Sequence, residues 1–129
     1  MGGVPLITST LEYDYSGDPS YLQHPRAKEH EVYDFVYREW EAVKNDLKAN
    51  AGSQTRANYF TALALESRAM LYAASIAKYN ALYTPTLVTD GGEVGIPASM
   101  ADDYYRKSLA ASKEIIKDGG YDLYNKNAD

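Results

Sequence analysis

Cysteine is absent from this 129-residue chain. That removes disulfides, thiolate nucleophiles, Cys-ligated zinc and iron–sulfur clusters. Long apolar runs are missing too, since nothing approaches the ~18 consecutive apolar residues that a membrane helix needs. No basic n-region precedes Val4-Pro5-Leu6-Ile7, so the sequence reads as cytoplasmic or as one whose targeting segment has been cut away. Positive charge is in deficit: 13 Lys and Arg face 18 Asp and Glu, giving a formal charge of −5 and a pI near 5.0. A chain of that sign repels phosphate backbones, which argues against nucleic acid as a partner.

Phenylalanine and tryptophan are scarce, at 2 and 1, while tyrosine reaches 13. Tyrosine joins an apolar ring to a polar tip. It seals the rims of helix–helix seams, and it also suits the faces of sugar rings. With 45% hydrophobic and 24% charged residues the chain has the composition of a globular protein with a core. Its length fits one domain or one piece of a larger one.

Catalytic and metal motifs are lacking. His24 and His30 stand six apart near a helix start, whereas helical metal pairs stand three or four apart, and His30-Glu31 has no second His. Asp14, Asp18 and Asp90 are too sparse for a calcium loop. Asp90-Gly91-Gly92-Glu93 lacks the Lys and Ser/Thr of a phosphate loop and reads as a flexible turn. No G-x-S-x-G elbow occurs, and no acid pair stands out. The chain therefore reads as a non-enzyme with no metal or cofactor.

Periodicity predicts an all-α fold of antiparallel helices behind an irregular lead-in from Gly2 to Arg26, which Gly17, Pro19 and Pro25 punctuate. A first helix is predicted from Lys28 to Ala49, with Val32, Phe35, Val36, Trp40, Val43 and Leu47 in one apolar stripe. Glu29 and Glu31 fall in its first turn, where the dipole favours anions. A second is predicted from Arg56 to Tyr79, capped by Ser53 or Thr55. Leu63, Ala64, Ser67, Leu71 and Ala74 lie on one side of it, and Ala62, Leu65, Ala69, Ala73 and Ile76 on the other. Apolar residues on both sides imply neighbours on both sides, with Leu71 in the core and Glu66 and Arg68 at the edge of the apolar face. A loop from Thr84 to Ala98 leads to a third helix, Met100 to Asp118, opened by a Ser99–Asp102 capping box and closed by Gly119-Gly120. Tyr105, Leu109, Ser112 and Ile116 form one row on it, and Tyr104, Ser108, Ala111 and Ile115 the next. Tyr121, Leu123 and Tyr124 should then fold back as a short anchor. The last two helices read as one enlarged tetratricopeptide-like repeat whose uncovered seams promote self-association.

Four segments, in order, resemble the SusD/RagB family of outer-membrane glycan-binding lipoproteins. They are Gly2-Gly3-Val4-Pro5-Leu6-Ile7; Glu31-Val32-Tyr33-Asp34-Phe35-Val36 followed by Glu39 and Leu47; Ala62-Leu63-Ala64-Leu65-Glu66-Ser67-Arg68-Ala69-Met70-Leu71-Tyr72-Ala73; and Tyr104-Tyr105 through Ile115-Ile116 to Gly120-Tyr121-Asp122-Leu123-Tyr124. The resemblance implies an internal fragment of a longer, surface-exposed, lipid-anchored protein. It implies a SusC-like TonB-dependent transporter as partner and oligosaccharide as the ligand of the full-length protein. This stretch would serve as scaffold and transporter-docking face, with the sugar site built elsewhere. Tyr13, Tyr15 and Tyr83 are the candidate sugar-stacking residues, as tyrosines in or beside predicted loops. Two other readings stand beside it: a free-standing helical-repeat module for protein partners, and an α-helical carbohydrate-active enzyme.

Overall fold

The computed structural model describes residues 2–50, 52–53, 55–80, 82 and 88–123. Among them three α-helices occur and no β-strand: α1 (Glu29–Val43), α2 (Tyr59–Asn80) and α3 (Ala101–Asp118). The fold is all-α, and local chemistry explains where each helix begins and ends. At α1 the Lys28 backbone N–H donates to Glu31 Oε2 at 2.8 Å, so a first-turn carboxylate satisfies a donor at the helix start. The α-helix stops at Val43 and not at Ala49. Asp46–Asn50 continues as a 3-10 helix, with Leu47 N–H on Lys44 O at 3.2 Å. Asn45 and Asp46 compete with the backbone for hydrogen bonds, which favours the tighter turn there.

α2 is capped by neither Ser53 nor Thr55. Asn58 takes that role, accepting the Thr61 N–H at 2.9 Å, and the helix starts at Tyr59 instead of Arg56. Ser53 Oγ accepts from Arg56 N–H at 3.0 Å, shaping the turn that leads in. The Ser99–Asp102 capping box is absent. Ala98–Met100 is a 3-10 turn, and α3 opens without a side-chain cap. Asp102 and Asp103 still lie in its first turn, where the dipole favours them. Gly120 ends it in the left-handed region at φ +62°.

α2, with 22 residues about 33 Å long, lies between the other two helices. Paired side chains fix the directions. Tyr59 bonds Glu114, Ser67 Oγ lies 2.7 Å from Ser112 Oγ and 3.3 Å from Ser108 Oγ, and Ala77 shares a cluster with Ala101. Rising numbers on α2 meet falling numbers on α3, so the two are antiparallel. On the other flank Tyr33 lies near Tyr72 and Lys44 near Glu66, which makes α1 antiparallel to α2 as well. The core has two apolar layers. One joins Tyr59, Leu63 and Ala111, and the other joins Met70, Ala73, Ala74, Ala77, Ile96, Ala101 and Tyr104. The three serines sit between them. Alanine and serine at these positions let the helix backbones approach closely.

Several expected faces turn elsewhere. Leu71 is 47% exposed and outside the core. Ala64 and Leu65 are exposed too, and α2 buries the arc through Ala62, Leu63, Glu66, Met70, Ala73, Ala74 and Ala77. Glu66 is thus inside, not at an edge. α3 uses the Tyr104–Ser108–Ala111 row, while Leu109 and Ile116 face outward. The α1 stripe is no core face: Val32, Phe35, Val36 and Trp40 are half-buried and Val43 is exposed. Tyr121 does fold back, with its ring edge-on to Phe60 at 5.7 Å, but Leu123 is exposed and Tyr124 lies outside the described residues.

The lead-in is anchored at its first residues. Gly3 N–H donates to Glu93 O, Ala27 N–H to Val4 O at 3.1 Å, and Arg26 Nε to Gly3 O at 2.7 Å. A Cβ at Gly3 would stand 1.7 Å from the carbonyl oxygen of Ala27. That atom is backbone and has no rotamer to yield. Gly3→Ala is expected to lower stability by about 1–3 kcal/mol, as overpacked sites do. Urea unfolding checks it, and an unchanged midpoint would show that this close approach holds nothing.

Candidate functional site

Three places gather functional chemistry: an exposed tyrosine turn, an apolar groove along α1 and α2, and a buried polar seam beneath that groove.

Two of the three candidate sugar-stacking tyrosines come together on the turn. Tyr13 and Tyr15 meet edge-on, with ring centroids 5.1 Å apart. Tyr15 is 88% exposed and sits in the left-handed region at φ +61°, a conformation uncommon for a non-glycine residue. Tyr21 joins them, unanticipated from the sequence. Its hydroxyl donates to Asp14 Oδ1 at 3.1 Å and accepts the Asp14 N–H at 2.6 Å. Asp14 and Asp18 are spent on the turn itself, accepting from Ser16 N–H at 3.0 Å and Ser20 N–H at 2.9 Å. The Ser16 amide holds Asp14, and the Ser20 amide holds Asp18, below the ordinary carboxylate range. Tyr83 lies outside the described residues.

The groove forms because the α1 stripe is left uncovered. Tyr33, Trp40, Leu65, Arg68, Ala69 and Tyr72 line a hollow of about 340 Å³. Through Tyr33 and Ala69 it adjoins a second hollow of about 190 Å³, lined by Gly2, Val4, Glu29, Val32 and Val36. Arg68 lies over the Tyr72 ring at 6.0 Å and is the cationic group of the wall. Sequence reading identified Val32, Val36 and Trp40 as apolar and helical. It had no means of telling that α2 would leave them half-covered.

At the head of the groove Glu29 is buried. It accepts from Gly2 N–H at 3.1 Å and from Gly95 N–H at 2.6 Å. The Gly92 carbonyl receives the Glu29 N–H at 2.9 Å. The glycine-rich stretch, expected as a flexible turn, is a clamp at the start of α1. Gly92 and Gly95 take positive φ of 76° and 88° to present these groups. Among the described residues no cluster of three or more His, Asp or Glu side chains is arranged to hold a metal ion, and no helix is long and apolar enough to cross a membrane.

Midway along α2, Glu66 is 3% exposed, and among the described residues its Oε2 has no hydrogen-bond partner. Burial, then the nearby Glu41 carboxylate, push its pKa up to about 7 from the ordinary 4.5. Lys44 bonds Glu41. Burial works against the Lys44 charge, yet Glu41 and Glu66 raise its pKa on balance. The Tyr59 hydroxyl donates to Glu114, a bond that raises the tyrosine's pKa.

Comparison with family models, curated proteins and solved structures finds no match for this chain.

Proposed function

We propose that this chain is the helical scaffold of a non-catalytic, SusD-like component of an outer-membrane oligosaccharide-binding and uptake complex. In the full-length protein it would be lipid-anchored at the cell surface, beside a SusC-like TonB-dependent transporter. The ordered set of family-like segments motivates the reading. The observation that carries it is the open apolar groove of Tyr33, Trp40, Leu65, Ala69 and Tyr72, continuous with Val4, Val32 and Val36. An aromatic-lined surface of this kind marks a contact face. A scaffold that docks on a larger partner needs such a face, and an enzyme would need converging reactive groups instead. The exposed Tyr13–Tyr15–Tyr21 turn is the place where the chain itself offers rings to a sugar.

The groove also fits a second reading, in which a free-standing helical-repeat module takes up a partner helix. One experiment separates the two. The protein is tagged at its native locus and purified from detergent-solubilised envelopes. The uptake reading expects a TonB-dependent transporter to co-purify. It also expects a Trp40→Ala/Tyr72→Ala double variant to weaken that association by about tenfold or more, as loss of central aromatic anchors does. Recovery in the soluble fraction, bound to a peptide or soluble protein and free of any transporter, would overturn it in favour of the module.

A further inference from the structure

The groove along α1 and α2 has a polarity. Its larger hollow, about 340 Å³, is lined by one charged side chain, Arg68, and by no acid. Its smaller hollow, about 190 Å³, is walled by Val4, Val32 and Val36. Tyr33 and Ala69 line both, so the two are continuous. The acid of the smaller hollow, Glu29, is buried, and its carboxylate accepts the Gly2 and Gly95 N–H groups. Arg68 is exposed and lies over the Tyr72 ring at 6.0 Å. Among the described residues no carboxylate lies within ion-pair distance of it.

The two volumes together fall within the range of small-molecule sites, roughly 300–1,000 Å³. The lining narrows the ligand class. A sugar needs donors and acceptors around its whole rim, and Val4, Val32, Val36, Leu65 and Ala69 offer none. A metal cation would meet the Arg68 charge. A bare anion would leave the apolar wall wet. An anion with a linear apolar tail matches both parts, with its head on Arg68 and its tail running between the helices towards Val32. The Glu29 charge repels the head from the other end, so one orientation is favoured. Val32 and Trp40 stand about 12 Å apart along α1, which suits a chain of medium length.

We propose that this groove is a binding site for a medium-chain linear carboxylate, taken up as the free monomer. The site lies on the face assigned above to docking, but it does not rest on the uptake function, because the protein alone should bind the acid.

Trp40 is the single tryptophan and lines the larger hollow, so its emission reports the tail. The probes are hexanoate, octanoate, decanoate and dodecanoate. Each is titrated into the full chain near pH 8, where the carboxyl is ionised, and below its micelle concentration. Decanoate should shift the emission to the blue with a Kd of about 0.1–1 mM. Each added methylene should tighten binding about threefold to fourfold. That gain should stop once the tail outruns the groove, between octanoate and dodecanoate. Arg68→Gln should weaken decanoate about tenfold and leave decanol unchanged. Arg68 is exposed, so this variant leaves the core intact. Ala69→Phe, placed where the hollows join, should abolish binding of both; if it fails to fold, Arg68→Gln and the chain-length series decide.

Unchanged Trp40 emission up to about 5 mM decanoate would overturn the proposal. So would affinity that climbs through dodecanoate without a plateau, or equal loss of decanoate and decanol in Arg68→Gln. Binding to anionic phospholipid vesicles with none to the monomeric acids would overturn it in favour of a membrane surface. A transporter that co-purifies while decanoate fails to bind would sink this proposal and leave the uptake reading standing, and the opposite pair of results would do the reverse.

Discussion

Tyr104→Ala is expected to lower the stability of the chain by about 3–5 kcal/mol, the range for truncating a fully buried aromatic. Tyr104 is 0% exposed and is the largest fully buried side chain among the described residues. Its ring packs with Met70, Ala73, Ala74, Ala77, Ile96 and Ala101, and Tyr33 and Tyr37 of α1 close over the same cluster. Its hydroxyl crosses to α1, donating to Asp34 Oδ1 at 2.9 Å and lying 3.3 Å from the His30 carbonyl. Burial and the Asp34 carboxylate both raise its pKa, so the phenol keeps its proton throughout the accessible range. One residue of α3 thus touches both of the other helices. Alanine there opens a void at their junction and leaves Asp34 with Lys107 Nζ, 3.9 Å away, as its remaining cross-helix partner. Tyr104→Phe separates the two contributions. It keeps the ring and should cost about 1.5–3 kcal/mol, the value of a hydrogen bond to a charged acceptor. Urea unfolding with an unchanged m-value is the measurement. A loss under about 1 kcal/mol for alanine would mean that the three helices do not converge on this ring.

The second large effect is Leu63→Ala, with an expected loss of about 2–5 kcal/mol. Leu63 is 0% exposed and sits between Tyr59 and Ala111, in the layer that joins the start of α2 to the end of α3. Phe60 and Ile115 pack against the same layer, so truncating Leu63 opens a cavity inside it. Leu71→Ala, two helical turns on and facing out, should stay under about 0.5 kcal/mol, as exposed positions do. The pair makes a sharp comparison, because both leucines lie in the same helix and read alike in the sequence. Equal losses at the two positions would show that α2 is rotated relative to the packing described above.

Glu66 adds a pH dependence to the same fold. Its pKa is about 7 in the native chain against 4.5 when exposed. Between those values the folded state binds more proton than the unfolded one, so stability falls as pH rises from about 4.5 to about 7 and levels off beyond. This sense is opposite to that of a salt-bridged carboxylate, because the native state disfavours the charge.

Much of the helical framework was legible from residue order. Gly119-Gly120 after a periodic run placed the end of α3, but its two rows, Tyr105–Leu109–Ser112–Ile116 and Tyr104–Ser108–Ala111–Ile115, read alike, and packing turned the second inward. The caps were less legible. Asn58, Ser53 and Thr55 all have oxygens suited to capping, and only the backbone path selects Asn58. The candidate sites were partly legible. Tyr13 and Tyr15 do meet on one turn, yet the Tyr21 partner depends on the bend at Tyr15–Gly17 and the 3-10 turn at Ser20–Leu22, which residue types alone do not set. Trp40 and Val36 read as core because an amphipathic stripe normally finds a cover.

Sequence alone determined that this chain is helical and which segments form the rods, because backbone hydrogen bonding, caps and 3.6-residue periodicity are local properties. Tertiary structure decided which side of each rod is inside. α2 is apolar nearly all round, so its pattern holds no direction. The close meshing of Ala73, Ala74 and Ala77 with α3 set its rotation. That rotation turned Leu71 out to solvent, drew Glu66 into the seam, and left Trp40 over an open groove.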